Sequence, residues 1–559
     1  MTSYSDPKLP ATKAAENDSP LGGQSLEPLT PDCGEGIPND EPIYFKGPRF
    51  WLIWCSIVLE VALTSLEVPV VTTSVATITD DLGRFDKATW ITSAYLLGYV
   101  GVLIIWAKLS DIFGRKALWV LSSILFIAFS AACGAAQTLS QLIIFRAFQG
   151  IGGGGIYSIG TIVNFELVPP SKHQLVVGSA AFVFGITLTL GPIIGGALSK
   201  STHWRWIFLL NVPAAFPALV IILIYLPSSF PHHGKLSHQN WSFRKAFTDS
   251  NLARIDVIGV FAIWLGILGI VSALEQAGIS HQWNSGFVIA MLVVGGLLIL
   301  GFVTWEWYIS KETRIIEPVF PWTFATDRVL LGLLLCAFSQ GMPWICALFQ
   351  LPQKFQVVHG ESPLAAGIKT IPFSAAAPVS SVTAAIIAKK GVPMIYIVLV
   401  ASILQIVGLS LLGTLPLSEH ILKAQYGYQV ITGAGAGTNS SILLTMAPLV
   451  VKRQKDKSII VGAFNQFRFV GGVLALAIIS SVMTGFVKPK LGAFLSPGQV
   501  NLVLDTSRGL SVLKGVQHNE AVRILADGYN LQFKILAGLA AMQVIGTAMM
   551  WQKKQLRAP

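Results

Sequence analysis

About fourteen apolar stretches run through this chain, each near the ~20 residues that a helix needs to cross the hydrocarbon core of a bilayer. They fall near 50–76, 89–107, 117–136, 139–165, 175–198, 206–226, 255–274, 286–308, 329–350, 364–388, 392–413, 427–449, 459–486 and 531–551. No water-soluble core could hide that much oil. The 559 residues are 53% hydrophobic and only 12% charged, against about a quarter charged in soluble domains. The expected class is therefore an all-α polytopic membrane protein that meets the lipid bilayer along most of its surface.

The net charge of +11 needs no nucleic acid to explain it, because no basic patch interleaved with aromatics occurs in a polar segment. Lys108, Arg115, Lys116, Lys172, Arg244, Lys245, Arg254, Lys311, Lys389, Lys390, Lys452 and Arg453 fall on alternate connections. The positive-inside rule then puts both termini in the cytoplasm. Residues 1–48 are polar and rich in Pro, Gly and Ser, a composition expected to stay disordered. Five cysteines without a C-x-x-C and nine histidines without H-E-x-x-H suggest no disulfide framework and no metal site.

The chain repeats itself. "QGIGGGGIYSIGTIVNFELVPPSKHQLVVGSA" (149–180) is echoed by "TGAGAGTNSSILLTMAPLVVKRQKDKSIIVGAF" (432–464). Two related half-bundles are the mark of carriers whose halves rock about a midplane site. The expected division is a tail (1–48), a six-helix bundle (49–226), a cytoplasmic loop with an inserted helix pair (227–308), a second six-helix bundle (309–551) and a short tail (552–559).

The run "RAFQGIGGGG" (146–155) could cradle a phosphate, but it lies inside an apolar span with no strand before it. Glycines there let another helix approach closely. Arg146 is costly in a span and needs a partner. It either tunes a nearby carboxylate or forms a purely structural ion pair. "AKLSDIFGRKAL" (107–118), "RAFQGIGGGG", "GITLTLGPIIGGAL" (185–198), "SLEVPVVTTSVATITDDLG" (65–83) and "WRWIFLLNVP" (204–213) together resemble the motifs of the major facilitator superfamily. The resemblance is to its fourteen-helix drug:proton antiporter group. It implies two six-helix bundles plus an inserted pair.

The same resemblance assigns candidate roles. Glu67 takes the first-helix acid position, with Glu60 two turns earlier, so either acid could carry the proton beside Arg146. Asp111, Gly114, Arg115 and Lys116 match the loop after the second span, and Glu166 is expected to pair with Arg115 as a conformational latch. The motif's opening glycine is replaced by Ala107, beside Trp106. Gly185, Gly191, Pro192, Gly195 and Gly196 match the antiporter packing motif. Gln149, Asn465, Gln466, Arg468 and Trp344 are candidate cavity residues.

The expected function is proton-coupled export of small amphipathic organic molecules such as drugs, toxins or secondary metabolites. A monomer in the plasma membrane would use the proton gradient and no cofactor. No G-x-x-x-x-G-K-[ST] is present to bind ATP, and no nucleophile–base pair suggests an enzyme. A vacuolar carrier for basic amino acids and a transporter-like nutrient sensor are the alternatives.

Overall fold

The computed structural model describes residues 44–72, 74–82, 90–199, 204–231, 253–277, 281–311, 316–416, 421–453, 456–505, 510 and 513–558. Most of the N-terminal tail (1–43), with Cys33, and most of the long loop after the sixth span (232–252) lie outside the described residues, as do the surroundings of Pro192 and Gly196.

Among the described residues the regular structure is helical. In chain order the helices are α1 (Gly47–Thr72), α2 (Val75–Leu82), α3 (Trp90–Gly101), α4 (Leu103–Phe113), α5 (Arg115–Ala135), α6 (Leu139–Glu166), α7 (His173–Ser199), α8 (Trp206–Leu209), α9 (Asn211–Tyr225), α10 (Val257–Gln276) and α11 (Gly286–Lys311). They continue with α12 (Thr323–Thr326), α13 (Arg328–His359), α14 (Pro363–Lys369), α15 (Ile371–Lys389), α16 (Met394–Leu412), α17 (Lys423–Val450), α18 (Lys457–Gly492), α19 (Pro497–Asp505) and α20 (Val516–Met549). Among the described residues, eleven helical segments are long and apolar enough to cross a membrane, and α3 with α4, bent by 44°, makes a twelfth when the bent pair is taken as one span.

Two sets of helices pack mainly within themselves. One comprises α1 and α3–α9, the other α13, α15–α18 and α20. They meet along two seams, α4 against α18 and α7 against α15 and α17. Helices α10 and α11 pack on each other, and α10 leans on α3 and α18 beside the first seam. Most of α11 faces outward, so its apolar surface is left for lipid.

Several helices outrun their apolar cores. The last span, expected near 531–551, is the end of a helix that starts at Val516. Helices α13 and α18 likewise extend to His359 and Gly492. The extra turns are polar on the outside. They are anchored by a small apolar cluster that includes Val487, Leu491, Val500, Leu513 and Ile524, which a hydropathy window cannot detect. The second span is broken at Val102, which has φ −112° and ψ 0° and no side-chain cap. Gln466 of α18 takes up an orphaned donor at this break, since Ile104 N–H donates to its Oε1 at 2.8 Å.

Candidate functional site: a buried ion pair and a sealed end

The glycines of α6 are crossing points. A side chain on Gly150 would collide with the Tyr95 carbonyl of α3, and one on Gly152 would sit 2.6 Å from Phe126 N of α5. This close approach lets Arg146, one turn before Gly150 on α6, reach across to α1 and α3 instead of into lipid.

Arg146 is fully buried. Its Nη1 pairs with Glu67 Oε2 and donates to Gln149 Oε1 at 2.8 Å. Its Nε donates to the Ile91 carbonyl at 3.1 Å, and its guanidinium lies 4.3 Å from the Tyr95 ring centroid. Glu67 Oε1 accepts from Gln149 Nε2 at 2.8 Å and from the Asn211 amide at the start of α9. Ser130 Oγ completes Gln149 at 2.7 Å. The protein gives partners to both Glu67 oxygens and to Arg146 Nε and Nη1, leaving Arg146 Nη2 alone unpartnered, and these contacts offset much of the cost of taking two charges out of water. Glu60, also fully buried, faces elsewhere. Its Oε2 accepts from Trp119 Nε1 at 2.9 Å and Ser123 Oγ at 2.6 Å, and its Oε1 has no partner. The two acids are thus separate sites, not a dyad. Asn211 lies in the WRWIFLLNVP stretch but had no role assigned to it, and Ser130 and Tyr95 had no distinct signal beyond being polar residues inside apolar runs.

At the basic end of the bundle, Gly114 has φ +89°, a conformation that glycine adopts without strain. It turns the chain between α4 and α5. Arg115 then bridges Asp111 Oδ1 at 2.5 Å and Glu166 Oε1 at 2.9 Å, and donates to Ser110 Oγ at 2.6 Å. Asp111 also accepts from Ser458 Oγ, at the start of α18 across the seam, at 2.6 Å. Lys116 donates to the Leu223 carbonyl at 2.7 Å, tying α5 to α9. Ala107 packs against Gly462, where a side chain would come within 2.5 Å of the Ala107 methyl. The small residue that the motif places on the second span therefore stands on the opposite helix. Lys108 adds an ion pair to Glu317 at 2.6 Å, and Arg254 holds the same carboxylate at 2.8 Å. Partial burial pushes the Glu317 carboxyl up, but Lys108 and then Arg254 outweigh it and hold it below the usual 4.5.

Helix α7 lines the second seam, packed on α1 of its own set and on α15 and α17 of the other. Gly191 packs on Pro69 of α1, a side chain on Gly185 would come within 3.1 Å of the Ser374 carbonyl of α15, and the Gly195 carbonyl accepts from Ser74 Oγ at 3.2 Å. Of the candidate cavity residues, Asn465 is fully buried with neither amide atom partnered. Gln466 is committed to the α4 break, and Arg468 donates to the Tyr157 hydroxyl. Trp344 packs on Phe373, ring centroids 5.5 Å apart, within the second set. Aligning the two glycine helices puts Gln429 where Arg146 stands. Gln429 is fully buried, and both of its amide atoms lack partners.

An all-helical bundle of two sets that meet along two seams, with an ion pair buried in one of the sets, has the architecture of a membrane carrier. The chain belongs to the Major Facilitator Superfamily, whose family model matches residues 53–476. It is 35% identical over 528 residues to the MFS-type transporter FPY5 of Fusarium mangiferae, covering 93% of this chain and 86% of that one. It is 30% identical to the efflux pump FUS6 of Gibberella fujikuroi, covering 80% and 78%. It is also 29% identical to multidrug resistance protein 3 of Bacillus subtilis, covering 78% and 80%. Among solved structures, a bacterial homologue of the lysosomal transporter Spinster superposes with TM-score 0.55 at 15% identity, covering 91% of this chain and all of that one. The proton:xylose symporter XylE gives 0.53 at 14%, covering 90% and 95%. These two share the fold. Family and fold point to a multi-pass membrane transporter, not an enzyme.

Proposed function

We propose that the protein is a proton-coupled antiporter that exports small amphipathic organic molecules across the plasma membrane. The reading has fourteen spans: the twelve above together with α7 and α17, arranged as two six-helix bundles with α10 and α11 inserted and both termini cytoplasmic. Relatives named as efflux pumps support the direction of transport. The observation that carries the coupling is the Glu67–Arg146 pair, buried where α1, α6 and α9 meet.

A proton delivered to Glu67 removes the countercharge of Arg146 and weakens the acceptor that Gln149 and Asn211 share. An arginine left unpaired in a span costs about 2.5–3.5 kcal/mol or more. Helices α1, α6 and α9 then favour a different packing, and the bundle tips. At the basic end, the Asp111–Ser458 and Ile104–Gln466 contacts part as the cytoplasmic side opens, while Arg115 with Glu166 keeps that end of α5 and α6 joined. Each proton entering gains about 2.3 kcal/mol per 100 mV of membrane potential, and this drives the return.

The test is transport in proteoliposomes with an imposed pH gradient, using a panel of labelled amphipathic compounds. Glu67→Gln is expected to abolish gradient-driven transport and leave the protein folded and membrane-inserted. Accumulation of substrate on the cytoplasmic side, driven by an inward proton gradient, would reverse the reading.

A further inference from the structure

The Glu67 pair accounts for one buried arginine and leaves another. Arg468, midway along α18, is 8% exposed. Its one hydrogen-bond partner among the described residues is the Tyr157 hydroxyl, and no described carboxylate lies within ion-pair distance of it. A guanidinium out of water without a countercharge is costly, and an anion placed beside it recovers that cost.

The surroundings suit an anion with an unsaturated body. The Arg468 guanidinium carbon lies 5.2 Å from the Phe469 ring centroid and 5.9 Å from that of Tyr157. Tyr99 and Tyr157 each meet the Phe469 ring edge-on at 5.3 Å. Tyr99 and Tyr157 come from α3 and α6 and the other two residues from α18, so the aromatic group spans the seam between the sets. One turn before Arg468, on the same helix face, stands Asn465 with its free amide. Donors, aromatic walls and an unbalanced positive charge thus converge between the halves.

We propose that Arg468 recognises an acidic group on the transported molecule, making the substrates amphipathic carboxylates or enolates with a conjugated skeleton. The acid accepts the guanidinium fork in a bidentate pair, the Asn465 amide adds a donor, and the skeleton packs on Tyr99, Tyr157 and Phe469. The word "transported" rests on the antiporter reading. The anion preference does not, so the test measures binding alone.

Full-length protein in lipid nanodiscs is titrated with 1-naphthaleneacetate, 4-phenylcinnamate and retinoate, each beside its methyl ester. The intact protein should bind at least one acid tenfold or more tightly than its ester. Arg468→Gln should erase that preference while ester binding stays. Arg468→Lys should keep part of it. Tyr157→Phe, which removes only the competing hydroxyl, should keep it in full. Esters bound as tightly as acids, no acid bound at all, or a preference that survives Arg468→Gln overturns the proposal. So does loss of acid and ester binding alike in both Arg468 variants, which would make the residue a structural one. Failure of gradient-driven export would leave each of these outcomes readable.

Discussion

Helices α6 and α17 solve one packing problem in the same way and then diverge. Gly150 of α6 admits the Tyr95 carbonyl of α3, and Gly433 of α17 admits the Phe373 carbonyl of α15. One turn earlier, α6 carries an arginine paired with Glu67, Gln149 and the Ile91 carbonyl, and α17 a glutamine with neither amide atom partnered. The polar groups further along α17 are also neutral. The Asn439 amide bonds Gln543 Oε1 at 2.7 Å, and Gln543 Nε2 donates to Gln405 Oε1 at 2.9 Å. The repeat therefore conserves close approach and varies charge. The ion pair of the spans lies in the first set. In the second, the buried charged side chains within the described spans are the cations Lys354 and Arg468.

This asymmetry is breakable. The largest effect is expected from Arg146→Met, which strands Glu67 and should lower stability by about 3–5 kcal/mol. Gln429→Met removes a polar group that has no partner, so it should be neutral or slightly stabilising. Thermal unfolding in detergent compares the two, and equal losses would erase the distinction between the halves.

Next come the neutral contacts. Asn439→Leu leaves Gln543 short of a partner and should cost about 1–3 kcal/mol, with the pH dependence of transport unchanged. A shifted pH profile in that variant would move part of the coupling into the second set. Gly150→Ala and Gly433→Ala should cost similar amounts, about 1–3 kcal/mol each, because both methyls meet backbone carbonyls. A large difference between them would show that the two crossings are not equivalent.

The smallest effect is at the sealed end. With its carboxyl held below 4.5 in the folded protein, Glu317 contributes stability at pH values above 4.5 that fades as pH falls through its lowered value. Glu317→Gln should remove that contribution, about 1 kcal/mol or less for a partly exposed pair. The variant and the parent should converge in unfolding temperature at acid pH.

The helical membrane class was legible because span length is a bilayer dimension, and eleven runs meet it as helices. The bend at Val102 was not, since it depends on a glutamine 364 positions later accepting a backbone donor. The extramembrane turns of α18 and α20 were hidden because their apolar contacts are scattered among polar residues. The Arg146–Glu67 contact follows from a charge in oil needing a countercharge. Asn211 and Ser130, which hold the pair in place, are ordinary residues whose position only the fold supplies. Glu60 and Glu67 share a helix face by spacing, yet Trp119 and Ser123 capture the first and Arg146 the second.

The bent span has one more consequence. Where α3 gives way to α4, a main-chain donor rests on the Gln466 side chain of the opposing set, and so the two halves are stitched by a group that water can replace at little cost. Around it the seam is apolar, with Leu103, Ile104 and Ala107 in one buried cluster with Ile459, Ile460 and Ala463, so the amide contact fixes the register of the two halves while the oil holds them together.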